Sequence, residues 1–264
     1  MPVLDKDVRK ALLEARTMTE AISKIDANEA DTRSRVGYFL KSLMGYDRFI
    51  HLTSEYRVHA IGDSDYCDLA IKLEQQIKPV MLIEIKKINV DLSDKHVKQA
   101  AIYGINVGCE WVLLTNAREW RMYHVTFGQP PETVSLTSWN LLNDDLPLLA
   151  DKFELISLRN VKRGGLDQFW QKNNALTAQN LLRIILSEPS ISMIRRELKR
   201  REKIALYPEE IVNGIRKILN ESAMSELERM KISLSPKPRM ITPKPEQIVE
   251  CVDSKSIPAN QEEI

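Results

Sequence analysis

The sequence of 264 residues has little of what defines several common classes of protein. Its three cysteines, Cys67, Cys109 and Cys251, are widely spaced and form no CxxC pair, so neither a disulfide framework nor a zinc–cysteine site is expected. Nine glycines are too few for a glycine-rich repeat or linker protein. No apolar run approaches the roughly 18 residues of a membrane helix, and the opening MPVLDKDVRK lacks the apolar region of a signal peptide. These absences predict a soluble protein of the reducing cytoplasm.

The sequence also lacks an excess of charge of either sign. It has 38 basic and 37 acidic residues, a formal net charge of +1, which excludes a polybasic protein that holds nucleic acid by its overall charge. A local basic surface remains open. Hydrophobic residues make up 43% of the chain, enough for one large domain or for a domain with a smaller appendage.

The pattern of apolar residues divides the chain into zones. Residues 5–46 show helical periodicity, and Asn28 is a suitable N-cap for a second helix there. Short β-rich segments follow over residues 49–134, interrupted by one helical stretch that starts near Asp94 and ends before Gly108. This order predicts an α/β domain with a mixed central sheet flanked by helices.

The remainder of the chain returns to helical texture and then loses it. Residues 146–220 predict three amphipathic helices, separated near Pro189 and Pro208. Five of the twelve prolines lie beyond residue 230, which predicts a flexible tail. The predicted organisation is a domain over residues 1–145, an α-helical C-terminal extension over 146–222 and a tail over 223–264.

One group of charged residues lies where an apolar strand is expected. Asp68 begins the strand LAI, and Glu84 and Lys86 end the apolar run PVMLI. Residues two apart on a strand share a face, and a hairpin pairing of the two strands would bring Asp68 and Glu84 together. Two carboxylates and the backbone carbonyl of Ile85 form an oxygen site suited to Mg²⁺. A neighbouring lysine could then position a water and neutralise charge on a phosphate. An E-x-K triplet alone is more often a solvated edge pair.

The spacing D-(x15)-E-x-K resembles the PD-(D/E)XK nuclease motif, and more closely the N-terminal nuclease domain of type I restriction enzyme R subunits. Three further segments fit that resemblance. Glu29 opens an E-x-x-T-R segment, Gln99 and Tyr103 form a Q-x-x-x-Y pair on one helix face, and WVLLTNAREWRMY resembles the hairpin that follows. The resemblance covers roughly residues 26–125.

The resemblance implies a restriction-endonuclease-like fold and an Mg²⁺-dependent DNA endonuclease, with Mn²⁺ as a substitute. It implies that Asp68, Glu84 and the carbonyl of Ile85 hold the metal and that Lys86 acts on the water. The other implied site residues, which would bind a second ion or water, orient the site or touch DNA, are Glu29, Gln99 and Tyr103. DNA and separate methylase, specificity or helicase subunits are the implied partners, and a homo-oligomer is left open.

The sequence departs from the family pattern in several places. Gly37-Tyr38 stands where the opening helix often has proline or an acidic residue, and Ala117 replaces the usual turn glycine. R subunits carry a translocase after the nuclease, but this sequence has no GxxxxGK[ST] segment, so ATP-driven translocation by it is not expected.

Two other classes of function remain open on the sequence. One is a non-catalytic nucleic-acid-binding or assembly module, and the other is an interaction protein that joins separate subunits through residues 146–220. The segment RRELKRREK, residues 195–203, has six basic and two acidic residues and could be a solvated helix face or a phosphate contact. Asp63 and Asp65 are expected to form only an ordinary turn. The four histidines show no metal-ligand spacing.

Overall fold

The protein is described by a computed structural model over residues 4–59, 64–74 and 76–218. The chain divides into two compact units between Ser187 and Glu188. The predicted boundary at residue 145 therefore lies within the first unit, and the predicted tail lies outside the described residues. Among the described residues, no helix is both long and apolar enough to span a membrane.

A six-stranded mixed sheet forms the centre of the first unit. Its strands are hydrogen-bonded in chain order; β3 and β4 pair in parallel, and every other neighbouring pair is antiparallel. The predicted α/β class with a mixed central sheet flanked by helices is confirmed. The strands are β1 (Leu52–His59), β2 (Ser64–Ile71), β3 (Met81–Ile85), β4 (Trp111–Thr115), β5 (Glu119–Thr126) and β6 (Glu132–Asn140).

Helices cover both faces of this sheet. Successive residues of a strand point to opposite faces. Leu113 of β4 accordingly packs in the large cluster that contains residues of the first two helices, and Leu114 packs in a second cluster with Ala100 and Ala101. The helices of the first unit are α1 (Lys6–Lys24), α2 (Glu29–Ser42), α3 (Asp94–Val107), α4 (Leu146–Leu155), α5 (Leu158–Lys162), α6 (Gly165–Ala175) and α7 (Ala178–Ile185).

The ends of two helices next to the sheet follow directly from the sequence. Asn28 caps α2, since its side chain accepts a hydrogen bond from the backbone N–H of Asp31 at 2.8 Å. Gly108 ends α3 with φ of +66°, a left-handed conformation that glycine adopts without strain. Both ends were predicted, and both are confirmed.

The helix α4 packs into the core of the first unit. Its Phe153 contacts the rings of Trp120 on β5 and Trp139 on β6 edge to face, with centroid distances of 5.4 and 5.7 Å. Residues after 145 therefore complete the sheet domain.

In the second unit, the described residues form α8 (Glu188–Glu202) and α9 (Pro208–Ile218). Pro189 lies in the first turn of α8, and Pro208 is the first residue of α9. Proline is tolerated at these positions because the backbone N–H groups of a first helical turn have no partner within the helix. The predicted separators of the helices thus lie where the helices begin.

Candidate active site

The predicted hairpin pairing of the two acidic strands is present. β2 and β3 are antiparallel, with Leu69 opposite Ile83. The same register carried one residue further sets Asp68 opposite Glu84. Asp68 Oδ2 accepts a hydrogen bond of 2.7 Å from the backbone N–H of Ile85. The two carboxylates therefore lie at neighbouring positions on adjacent strands.

Glu84 and Lys86 form an ion pair on one face of β3. The distance from Lys86 Nζ to Glu84 Oε1 is 2.7 Å, and only 4% of the Glu84 side chain is exposed. The other carboxylate oxygen, Glu84 Oε2, is buried and has no hydrogen-bond partner among the described residues. A buried carboxylate oxygen without a partner is costly, so this atom is an exceptional feature of the site.

Arg33 of α2 is a member of the site that the sequence reasoning missed. Its Nη2 atom lies 2.5 Å from Asp68 Oδ1, and its Nη1 atom lies 3.4 Å from Glu55 Oε1. The signal was present, because Arg33 follows Glu29 by four residues and therefore shares its helix face. These side chains border a cleft of about 270 Å³, which is lined by Arg33, Glu55, Tyr66, Cys67 and Asp68.

Glu29 lies within electrostatic range of the two carboxylates. It is the first residue of α2 and is partly exposed. Its negative charge contributes to raising the pKa values of Asp68 and Glu84. The structure thus places Glu29 near the site.

Burial dominates the electrostatics of the carboxylate pair. It raises the pKa of Glu84 to about 7; the Lys86 hydrogen bond opposes this shift and the charge of Asp68 adds to it. Burial also raises the pKa of Asp68, against the Ile85 N–H group and the Arg33 charge. Two neighbouring carboxylates that are short of hydration would be stabilised by an added cation.

Gln99 and Tyr103 form a hydrogen-bonded chain that ends on Asp65. Gln99 Nε2 donates to the Tyr103 hydroxyl group at 2.8 Å, and this hydroxyl donates to Asp65 Oδ2 at 2.7 Å. The expectation of an ordinary turn at Asp65 was wrong, since this residue lies on β2 and binds α3. Asp63 lies outside the described residues.

His96 also lies near the site, but it has a structural role. Its Nδ1 atom accepts a hydrogen bond from the backbone N–H of Ser93 at 3.2 Å, as part of a capping box at the start of α3. Burial and the charge of Lys86 lower the pKa of His96.

The oxygen atoms of the site fit a hard divalent cation with few protein ligands. Among residues 4–59, 64–74 and 76–218, no group of three or more His, Cys, Asp or Glu side chains is arranged to hold a metal ion. An ion here would use Asp68, Glu84, a backbone carbonyl and water, as Mg²⁺ commonly does. The N–H and C=O of one strand residue face the same neighbouring strand, so the Ile85 carbonyl faces β2, where Asp68 lies. The partnerless Glu84 Oε2 is the atom that such an ion would satisfy.

Comparison with protein families finds a similarity over the part of the chain that carries this site. Residues 28–136 match the family model described as Type I restriction enzyme R protein N terminus. The predicted resemblance is confirmed. The match begins at the N-cap of α2 and ends within β6, so it includes every residue of the candidate site described above.

Other comparisons add little to this match. A crystal structure of a candidate nuclease of the DUF820 group from Anabaena variabilis is similar with 17% sequence identity and a TM-score of 0.28. The similarity covers 41% of this chain and 66% of that one, just under two thirds of its length. A TM-score this low does not establish a shared fold. Among curated proteins, no sequence matches with significance.

Proposed function

We propose that this protein is an Mg²⁺-dependent DNA endonuclease, with Mn²⁺ as a substitute, and that Asp68, Glu84 and Lys86 carry the reaction. The observation behind the proposal is the buried carboxylate pair, in which Glu84 Oε2 has no partner and Lys86 lies 2.7 Å from Glu84 Oε1. The family match supports a nuclease-like role for the domain.

Asp68, Glu84 and the carbonyl of Ile85 would hold the ion. A bound Mg²⁺ would supply a Lewis acid and a water of lowered pKa for hydrolysis of the phosphodiester bond. Burial lowers the pKa of Lys86 and the Glu84 hydrogen bond raises it, with a net shift upward. Lys86 is therefore a cation near neutral pH, and it acts by orienting the water and by stabilising negative charge on the phosphate.

The remaining residues of the predicted site have supporting roles in this proposal. Glu29, whose charge acts on both carboxylates, binds a second ion or a water. Gln99 and Tyr103 act as positioning residues, because their hydrogen bonds end on Asp65, three residues before Asp68 on the same strand.

Substrate affinity is proposed to come in part from α8. The segment 195–203 has a net charge of +4 by sequence, and its arginines are exposed. Glu197, which is already counted in that net charge, forms ion pairs with Arg200 and Arg201. Contacts from such a helix would bind phosphates regardless of base sequence. Methylase, specificity or helicase subunits are proposed partners that would direct cleavage.

One observation favours the alternative, a non-catalytic nucleic-acid-binding or assembly module. Asp68 pairs with Arg33, and Glu84 pairs with Lys86. Each carboxylate thus has a cationic partner within the chain itself. A module that retains the fold without binding a metal ion would need such partners to neutralise its buried carboxylates.

The test compares Lys86 and Lys87, two adjacent lysines that directly follow β3. Lys86→Ala should lower Mg²⁺-dependent cleavage of plasmid DNA by about 100-fold or more, since an electrostatic group is lost from the reacting centre. DNA binding should change little, because phosphate contacts elsewhere dominate it. Lys87→Ala is the control, since Lys87 pairs with Asp26 instead.

Three outcomes separate the two functions. Cleavage that requires Mg²⁺ or Mn²⁺ and is lost only in Lys86→Ala supports the nuclease. Full cleavage by Lys86→Ala overturns the assignment to this site. DNA binding without cleavage in either metal favours the module.

A further inference from the structure

Both carboxylate oxygens of Asp68 are already in use. Oδ2 accepts the backbone N–H of Ile85 at 2.7 Å, and Oδ1 lies 2.5 Å from Arg33 Nη2. Glu84, by contrast, has the partnerless oxygen Oε2. An ion at Glu84 Oε2 would therefore find no free oxygen on Asp68. To coordinate a free oxygen of Asp68, the ion must first break one of these two contacts.

The two contacts of Asp68 differ in how easily they can give way. The amide of Ile85 belongs to β3 and is held by the sheet. The backbone N–H of the next residue, Lys86, donates a hydrogen bond to the carbonyl of Thr115 on β4. Arg33 makes its contact through a long side chain, 28% of which is exposed. The guanidinium group is thus the more mobile of the two partners.

Arg33 also has a second acceptor nearby. Its Nη1 atom lies 3.4 Å from Glu55 Oε1, and 72% of the Glu55 side chain is exposed. Its Nε atom is buried without a hydrogen-bond partner, so its present position leaves one donor unsatisfied. A shift toward Glu55 and the cleft would keep the guanidinium paired.

We propose that Arg33 is an internal counter-cation for Asp68, and that a divalent ion displaces its guanidinium group from Asp68 Oδ1. The inference rests on the metal site of the proposed function and adds the step by which that site is filled. A guanidinium group and a divalent ion at one carboxylate repel each other. Arg33 therefore weakens ion binding. In the absence of an ion, its positive charge lowers the free-energy cost of burying the carboxylate pair.

The experiment is calorimetric titration of the full chain with Mn²⁺ alone. Arg33→Gln removes the competing charge and should tighten Mn²⁺ binding roughly fivefold. Arg33→Lys retains a cation and should bind Mn²⁺ about as the wild type does. Arg35→Gln is the matched control, because Arg35 lies two residues along α2, is exposed, and changes the net charge by the same amount.

The outcomes divide clearly. Tighter binding by Arg33→Gln alone supports displacement. Unchanged or weaker Mn²⁺ binding by Arg33→Gln overturns the inference but not the metal site. Equally tighter binding by Arg35→Gln also overturns it, because the effect would then come from net charge alone. Failure of the wild type and every variant to bind millimolar Mn²⁺ overturns the metal site itself.

A second measurement observes Arg33 directly in the wild type. In the wild type, titration with diamagnetic Mg²⁺ should shift the NMR signal of the Arg33 Nε–H group, which Arg33→Lys identifies by its loss. A signal that stays in place while Mg²⁺ binds would contradict displacement.

Discussion

The hydroxyl group of Tyr103 donates a hydrogen bond to Asp65 Oδ2 at 2.7 Å, and this contact joins α3 to the start of β2. Tyr103 is buried, whereas Asp65 is exposed to solvent. Asp68 lies three residues further along the same strand. The contact therefore helps to fix the strand that carries the first carboxylate.

Loss of this hydroxyl group should affect positioning more than ion binding. Tyr103→Phe should lower the free energy of unfolding by about 1 kcal/mol, the usual net value of one hydrogen bond. DNA cleavage should slow, but Mn²⁺ affinity should stay the same, because Tyr103 is not a proposed ligand. Urea unfolding and calorimetry check both expectations. Tyr66→Phe, on an exposed residue of the same strand, is the control, and equal effects of the two variants would contradict the prediction.

The carboxylates of the proposed ion site should be distinguishable from their acidic neighbour. Asp68→Asn or Glu84→Gln should weaken Mn²⁺ binding at least tenfold, since an amide brings no negative charge to a hard cation. Asp65→Asn should leave the affinity nearly unchanged, because Asp65 binds Tyr103 instead. Titration calorimetry measures all three variants. A larger effect of Asp65→Asn would move the first ligand by three residues.

The basic segment of α8 should reveal its role through salt dependence. Arg195 and Arg196 are exposed, and neither forms the ion pairs that Glu197 makes with Arg200 and Arg201. If α8 binds phosphates, the double change of Arg195 and Arg196 to Glu should lower DNA affinity. The slope of log K against log salt should fall in magnitude by about 0.9 for each lost contact. Fluorescence anisotropy at several salt concentrations measures both quantities.

The matched control for α8 reverses two exposed basic residues of α1. Arg9→Glu with Lys10→Glu changes the net charge equally and should leave the salt slope intact. If the two double variants behave alike, α8 is only a solvated face. If DNA binding survives and a co-purifying subunit is lost, the helix docks a protein.

His124 should make the fold less stable in mild acid. Its ring contacts Trp111 edge to face and stacks on Trp170, with centroid distances of 4.8 and 3.9 Å. Burial lowers the pKa of His124, although the charges of Glu110 and Asp167 oppose this shift. The unfolded chain, in which histidine has its ordinary pKa of about 6.5, therefore binds a proton that the folded state rejects. Stability is lost as the pH falls through that value.

The check is a difference between two proteins at two pH values. Urea unfolding at pH 7.5 and 5.5 should show a smaller loss of stability in His124→Gln than in the wild type. The raised pKa values of Asp68 and Glu84 give a dependence of the opposite sign, but they act in both proteins and cancel. An identical pH dependence in both proteins would show that His124 does not contribute.

The sequence was sufficient for the hairpin that carries the carboxylates. The apolar run that ends at Glu84 and Lys86 is expected to be buried as a strand of the sheet. Asp68 starts a second apolar run 16 residues before Glu84. The pairing of these strands and the helix caps at Asn28 and Gly108 depend on the types of residue close together in the chain. They can therefore be predicted from one sequence.

Two parts of the structure could not be predicted in this way. The contact of Arg33 with Asp68 joins residues 35 positions apart, and only the packing of α2 against the sheet brings them together. β6 is an edge strand in which Trp139 is the one fully buried residue, so the alternation that identifies a strand is weak. The helices α4 to α6 are short, and their place is set by contacts such as that of Phe153 with Trp120.

The four tryptophans of the chain also determine what an optical experiment can observe. All lie in the first unit, and Trp120 and Trp139 are stacked with 8° between their ring planes and 6.0 Å between their centroids. Residues 188–264 contain none. Tryptophan emission during denaturation therefore reports on the sheet domain alone, and loss of ordered structure in α8 and α9 would pass unseen unless far-ultraviolet circular dichroism is recorded beside it.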